Sequence, residues 1–484
     1  MAINILDSPQ EFSPCYNPTH WLFNSSAKNK AGFSYLVDIY TGQTVGSPLA
    51  RLKVPKRPTT GYGLVDLASI LRSEIDHEID LLPGAGNFLP APGYSRVYNV
   101  QLGESSDYYS FEDSYYGPNG FVLFSSSTDR HDFEVGDQVI VQQTAPYLFS
   151  EFNGPHIVYS VVDEFSFEIE EGFQSGPVTP GKVYKADGSS ISFSGLTSAT
   201  GTTVGFSLPR EEFTPWTTDR YIASPGNYAV ELMTNAPDLK HMGRSGQGWI
   251  PVQTDGEQNI LFVLTKDSAG ATVGSYRIDQ TGVTGSDFSY CPAGPVNLTA
   301  STFTVISGPS DMFGASVATY SLRLANISGP SSESRTFTLD DRCVPFESFS
   351  ILFADKMGAW FTTEFYYKNT EENTVKKQTF ARAGYAKVVG SSVTYSDQRR
   401  GFEVYNVEHI RSYTVRSNWM HQEEGDYLVE CLMSPRAFWV QDPETFIPLI
   451  LDDVTVERIV GDQEKDLIRY ECTFTKAYKE NSIG

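Results

Sequence analysis

A period of two runs through this chain from its first third to its last residues. Phe33, Tyr35, Val37 and Ile39 alternate with Ser34, Leu36 and Asp38, and Ile468, Tyr470, Cys472 and Phe474 alternate with Arg469, Glu471, Thr473 and Thr475. Successive side chains of a strand point to opposite faces, so this pattern fits a sheet with one buried face and cannot sit on a helix. Composition agrees: 31 Phe and 27 Tyr against 7 Met favour strands, and 40 Gly with 27 Pro supply turns. A helical bundle is excluded, and with 40% hydrophobic residues so is a disordered chain. At about 150 residues per domain, 484 residues suggest about three domains. The expected fold is mainly β, multi-domain, built of β-sandwich and small β-barrel domains with a few packed helices.

Turn signals divide the chain further. The first part, 1–94, reads as mostly β with one helix, in which Leu64, Leu67, Ala68, Leu71 and Ile75 recur at three- and four-residue steps. Strands are expected at Phe33–Tyr40 and Ala50–Val54. Three prolines and three glycines in 81–93 break all periodicity and mark a boundary. Residues 95–206 read as an inserted small β-barrel, because Phe133 to Ile169 pack several short strands around Gly136-Asp137 and Asn153-Gly154. After it, 207–246 completes the first domain, with a strand at Tyr221–Met233. Residues 247–340 have the turn spacing of an immunoglobulin-like sandwich, with strands at Ile260–Thr265, Ser275–Ile278, Val296–Val305 and Thr319–Leu324. The last part, 341–484, reads as an α+β domain. Its helix starts at Ser417 or Asn418 and turns Trp419, Leu428, Cys431 and Leu432 to the core, and a turn at Asp452-Asp453 separates two of its last strands.

The charge balance limits partners. With 59 acidic against 36 basic side chains the net charge is −23, which repels nucleic acid in the absence of a dense basic patch. The densest candidate, Arg51, Lys53, Lys56 and Arg57, alternates with Leu52 and Val54 and reads as the wet face of a strand. No 18-residue apolar run predicts a membrane span, and the start MAINILDSPQEF lacks the pattern of a signal peptide, so secretion by the usual route is not expected. Cys15, Cys291, Cys343, Cys431 and Cys472 are odd in number and widely spaced. Buried free thiols made in a reducing cytoplasm are the expectation.

Catalytic signatures are missing from the sequence. It has no phosphate loop, nucleophile elbow, H-E-x-x-H or calcium loop, and Gly61-Tyr62-Gly63 and Gly84-Ala85-Gly86 lack the third glycine of a dinucleotide site. Asp76, His77, Glu78 and Asp80 offer metal-ligand types, as do His421, Glu423, Glu424 and Asp426, but neighbours on a helix point about 100° apart and cannot converge on one ion. His20 beside Trp21 reads as a packed turn residue. No catalytic residue, metal or cofactor is expected. Tyr108, Tyr109, Tyr115 and Tyr116, in SDYYSFEDSYYGPNG, form a candidate contact loop, since an amphipathic ring suits a protein partner or a sugar face, and the same composition suits a wet barrel rim.

Several phrases are similar to those of a known group. Tyr16-Asn17-Pro18, the strand Phe33–Tyr40, the run Asp66-Leu67-Ala68-Ser69-Ile70-Leu71-Arg72, and Ser417-Asn418-Trp419, Ser434-Pro435 and Ile447-Pro448-Leu449-Ile450 resemble virion structural proteins of tailed bacteriophages, particularly phages of the Bacteroidetes. The 130–170 module is similar to small barrels that such proteins carry as insertions. The resemblance implies a tail, baseplate or neck component, made in the host cytoplasm and built into the virion. Its partners would be copies of itself in a ring and other virion proteins, with no membrane or specific nucleic-acid contact and no active site carried across. Excess negative charge would keep free subunits soluble and, on a tail lumen, keep DNA off the wall. The alternative is a carbohydrate-binding or glycan-degrading host-recognition protein, whose mark would be a cleft where carboxylates face aromatic rings. A bacterial surface adhesin would need export by another path.

Overall fold

A computed structural model describes residues 3–481, apart from the segments 43–46, 76–85, 144–152, 173–179, 209–230, 254–258, 281–287, 327–331, 341–347, 382–385, 396–401 and 459–467 and positions 11, 117, 118, 120, 128, 368, 435, 443, 444, 478 and 479. The fold is mainly β, with several sheets and three short helices among the described residues. The chain forms two compact units: Met1–Asp76 with Gly93–Pro215, and His77–Pro92 with Trp216–Gly484.

In the first unit a five-stranded sheet runs Phe12–Pro14, Ile191–Val204, Ser95–Ser106, Ser34–Thr41, Ala50–Pro55, beside a three-stranded sheet of Ile3–Asp7, His20–Ser25 and Gly63–Asp66. Between them lies a core of Trp21, Phe23, Tyr35, Val37, Leu71, Tyr98 and Leu102. The expected strand Phe33–Tyr40 exists, but both of its faces are buried. On the second face Asp38, with no exposed surface, accepts two hydrogen bonds from the Arg51 guanidinium at 2.6 and 2.8 Å. Arg51 and Lys53 occupy the exposed positions of Ala50–Pro55, the wet face expected of them.

The expected helix over 64–75 shrinks to Ala68–Arg72. Leu64 belongs to the strand Gly63–Asp66, which pairs with His20–Phe23. Asp66 ends the strand and starts the helix: its Oδ1 accepts from the Ala68 and Thr19 amides. Helical spacing alone could not reveal that pairing 40 residues away had claimed the first turn.

The boundaries around the barrel also differ. Ser95–Ser106 and Ile191–Val204 are long strands of the five-stranded sheet, paired with each other from Ile191↔Ser106 to Val204↔Ser95. They belong to the N-terminal sheet; of 207–246, expected to complete that domain, 209–230 lies outside the described residues and Lys240–Gly243 pairs with Arg335–Asp340 in the second unit. The insertion proper is a seven-stranded sheet between them, ordered Asp113–Tyr116, Phe121–Ser125, Ser166–Gly172, Gly154–Asp163, Gln138–Gln143, Gly181–Lys185, Tyr109–Phe111. Its two edges come from one continuous stretch, 109–116, so the sheet nearly closes on itself around Tyr109, Phe111, Phe124, Val141, Phe167 and Ile169. Gly136, at φ 94°, makes the tight turn before Gln138–Gln143.

In the second unit the expected sandwich and C-terminal domain share one core. A six-stranded sheet (Lys240–Gly243, Arg335–Asp340, Thr319–Asn326, Asn259–Lys266, Thr272–Asp279, Thr304–Ser307) faces an eleven-stranded one. Leu261, Tyr276, Tyr320 and Phe337 of the first pack with Ile250, Phe353 and Phe361 of the second, and with Tyr427, Leu428 and Cys431 of the helix Gln422–Met433. Gly248–Gln253 and Phe288–Pro292 pair inside the eleven-stranded sheet, and Leu89–Pro90, from the expected linker, adds its last strand.

Three local readings change here. Val296–Val305 is not a strand: Gly294 and Pro295 open a helix, Pro295–Ala300, followed by the strand Thr304–Ser307. The C-terminal helix starts at Gln422, with His421 as its N-cap, so Ser417, Asn418 and Trp419 precede it. Asp452-Asp453 is a bulge inside one 14-residue strand, Thr445–Arg458. Thr370–Ala381, a strand that no alternation in the sequence marks because it is exposed nearly throughout, pairs with the 15-residue strand Phe402–Arg416. The expected strand Tyr221–Met233 lies almost wholly outside the described residues. Cys15, Cys291, Cys431 and Cys472 are free and buried, as expected; Cys343 lies outside the described residues.

Candidate functional site

The four candidate tyrosines do not form a loop. Tyr109 and Tyr115-Tyr116 lie on the two edge strands of the near-barrel. Tyr109 is fully buried among Phe133, Phe167 and His131, and its hydroxyl is bonded to the Phe165 carbonyl, so it cannot meet a partner. Tyr108, just before the strand, is half-buried, its ring 5.7 Å from Tyr184 with the Lys182 ammonium 4.2 Å away. The side chains of Tyr115 and Tyr116 lie outside the described residues, as do Asp76, His77, Glu78 and Asp80. The composition of the stretch was informative, but it marks a barrel wall.

The His20 imidazole opens a strand and lies 3.8 Å from Asp66 Oδ2, with both side chains about half exposed. Among the described residues no group of three or more His, Cys, Asp or Glu is arranged to hold a metal ion. His421 caps the helix that carries Glu423, Glu424 and Asp426 in its first turns. Glu424 turns to a residue that the sequence kept 183 positions away, His241, whose Nδ1 stands 3.3 and 3.2 Å from its two oxygens. The His241 amide donates to the same carboxylate at 3.1 Å.

This contact forms one wall of a cleft in the second unit. Lys240 precedes His241 on an edge strand that runs parallel to Arg335–Asp340. Alternation sends the Lys240 side chain inward, where it is 3% exposed and donates to the carbonyls of Thr362 at 3.0 Å and His241 at 3.2 Å. Burial lowers its ammonium from the ordinary lysine value, against the opposing pull of Glu424 and Glu364. For Glu424 burial acts upward, but the His241 hydrogen bond and the Lys240 charge outweigh it and hold the carboxyl below the usual range. A cavity of about 220 Å³ opens here, lined by Asp340, Glu364, Tyr366, Asn418, Trp419 and Glu424 among others. A second, of about 610 Å³, shares Lys240, His241, His421 and Glu424. Arg469 stacks 5.0 Å from the Trp419 ring. Carboxylates, an amide and aromatic rings in one concavity can take up a polyhydroxylated guest. Only the helix end was legible beforehand; Lys240, Asp340, Glu364 and Tyr366 carry no signal until two sheets bring them together.

The second candidate is a surface. Beyond the Ser412↔Thr475 rung, Phe402–Arg416 keeps Thr370–Ala381 as its main partner, apart from a two-residue contact with Glu480–Asn481. The two strands run on as a ribbon bearing a small hairpin, Ala386–Val389 with Ser392–Tyr395. Phe380, Phe402, Val404 and Tyr405 are 41–66% exposed near its far end, with Phe380 and Tyr405 in ring contact at 6.1 Å. A two-stranded ribbon is marginal in water by itself, and bulky apolar side chains held this way mark a contact surface.

No family model matches the chain, and no curated protein matches it.

Proposed function

We propose that this chain is a non-enzymatic structural subunit of a tailed-phage particle, a tail, baseplate or neck ring component that assembles with copies of itself and with neighbouring virion proteins. The observation that carries this reading is the ribbon: a long, exposed pair of strands with aromatic residues at its far end is costly for a solitary protein and useful to one that inserts an arm into a neighbour. The resemblance of its residue phrases to those of virion proteins supports it, as does the modular β architecture. The virion is the proposed location, after synthesis in the host cytoplasm. The test is to trim the ribbon at the Gln378↔Asn406 rung with a tight turn, which removes Phe380, Phe402, Val404 and Tyr405, and to follow assembly by sedimentation and electron microscopy. The full chain should form rings or larger oligomers that the trimmed chain forms poorly; a full chain that stays monomeric at high concentration counts against the reading.

The cleft favours a second reading, a glycan-binding or glycan-degrading host-recognition protein, because carboxylates and aromatic rings line one cavity. Binding of host polysaccharide that is lost in Trp419→Ala, or hydrolysis lost in Glu364→Gln, would favour it over the first.

A further inference from the structure

Thr370–Ala381 is the outermost strand of the eleven-stranded sheet. It is 12 residues long, all but one of them exposed, and its ladder is to Phe402–Arg416 on one side. A strand of this length whose other edge pairs with no strand among the described residues is a template for another strand. Lysines on an edge ordinarily discourage such pairing, but a guard of that kind carries one sign of charge. Here the charges come in two opposite pairs, Glu371-Glu372 and Lys376-Lys377, placed symmetrically about Thr374.

We infer that this edge pairs with the same edge of a second copy, antiparallel and in the register that sets Thr374 opposite Thr374, so that the two sheets continue into one across a two-fold axis. In that register Glu371 stands opposite Lys377 and Glu372 opposite Lys376, and the two-fold axis repeats both pairs. Residues directly opposite in an antiparallel ladder share a face, and each pair has matching parity, so all four charge pairs meet. The central rung is Thr against Thr, itself a favourable cross-strand pair. Shifting the register by two residues either way removes the symmetric match, so the charges fix alignment as well as attraction. Lys376 already stands opposite Glu408 in its own ribbon, and the partner's Glu372 would complete a row of alternating charge across three strands. The contact is isologous and closes at two copies. It goes beyond the proposed ring contacts and does not depend on them.

Reversal of one charge pair at a time tests the inference on exposed positions that leave the core intact. Lys376→Glu with Lys377→Glu, or Glu371→Lys with Glu372→Lys, sets like charges opposite one another at all four places and should raise the dimer dissociation constant at least tenfold in sedimentation velocity at low salt. Mixing these two variants should restore a dimer containing one of each, and the fourfold swap should restore the self-dimer. Thr374→Cys should cross-link to its own copy on mild oxidation, while Glu371→Cys should not. Self-association that ignores the reversals, or reversed halves that fail to associate on mixing, overturns the inference. Loss of the two-fold contact in the reversed variants with rings that persist would uphold it and leave the assembly reading standing, whereas dimers that never grow larger would uphold it and count against the ring.

Discussion

Asp38 has no exposed surface, and its two hydrogen bonds from Arg51 come from a side chain that is itself 58% exposed. Removing the guanidinium leaves a buried carboxylate with its main partner gone, so Arg51→Ala should cost about 2–3 kcal/mol in urea unfolding, and Arg51→Lys, which cannot make the fork, should recover only part of that. Asp355 is a different case. Burial, then the neighbouring Glu430, lift its carboxyl to about 7, although Thr234 and the amides of Asn235, Met357 and Ala359 donate to it. The folded state therefore binds more protons at this residue than the unfolded chain between about pH 4 and pH 7. Its contribution to stability is full at the acid end and is lost as pH rises through 7. Urea midpoints measured from pH 5 to 7.5 should fall more steeply for the natural chain than for Asp355→Asn. Burial also pushes the thiols of Cys15, Cys291 and Cys472 up to about 12, and raises that of Cys431 well above the ordinary thiol value. These four should resist alkylation until the protein unfolds.

The helix Gln422–Met433 and the ribbon show what sequence patterns can and cannot carry at the level of elements. Gly425 sits inside the helix, where alanine would gain about 1 kcal/mol of propensity. A methyl group there would lie 3.3 Å from Ile468 Cδ1 and 3.5 Å from Tyr470 Cε2. Gly425→Ala should therefore change stability little, whereas Gly425→Leu should lower it by about 2 kcal/mol or more through overpacking. Strands with one apolar face, such as Ile468–Lys476, were legible because burial writes alternation into the sequence. Thr370–Ala381 was not, because an element with solvent on both faces has no pattern to show. The cleft was illegible for another reason. His241 and Glu424 meet through a parallel edge strand and a helix start far apart in the chain, and nothing local in either segment anticipates the other. The tyrosine stretch suited a contact loop or a barrel rim alike, and its polar residues hid that Tyr109 and Phe111 turn alternate side chains into a core.

At the scale of the whole molecule, the segment that looked like a linker is the most instructive. Its described residues belong to the second unit, where Phe88 is 4% exposed in the main core and Leu89–Pro90 pairs with Ser289-Tyr290. Prolines and glycines hid this, because a two-residue strand leaves no period to detect. Phe88→Ala should destabilise the second unit by about 3–4 kcal/mol and lower its calorimetric transition, while the unit formed by 1–76 and 93–215 melts as before. The net charge of −23, spread over a chain that displays aromatic residues at the end of a ribbon, suits the proposed assembly role, in which free copies stay dispersed by mutual repulsion.

The near-barrel enters and leaves its host sheet through Ser95–Ser106 and Ile191–Val204, whose last rung joins Ser106 to Ile191. Its two ends thus emerge side by side at a position where a hairpin turn of a few residues would serve equally well for the host. Such a junction works as an exchange port: a lineage could lose this domain, or replace it with another whose termini lie equally close, and keep the ladder between these two host strands, giving up only contacts such as the Ser192 amide to Asp132.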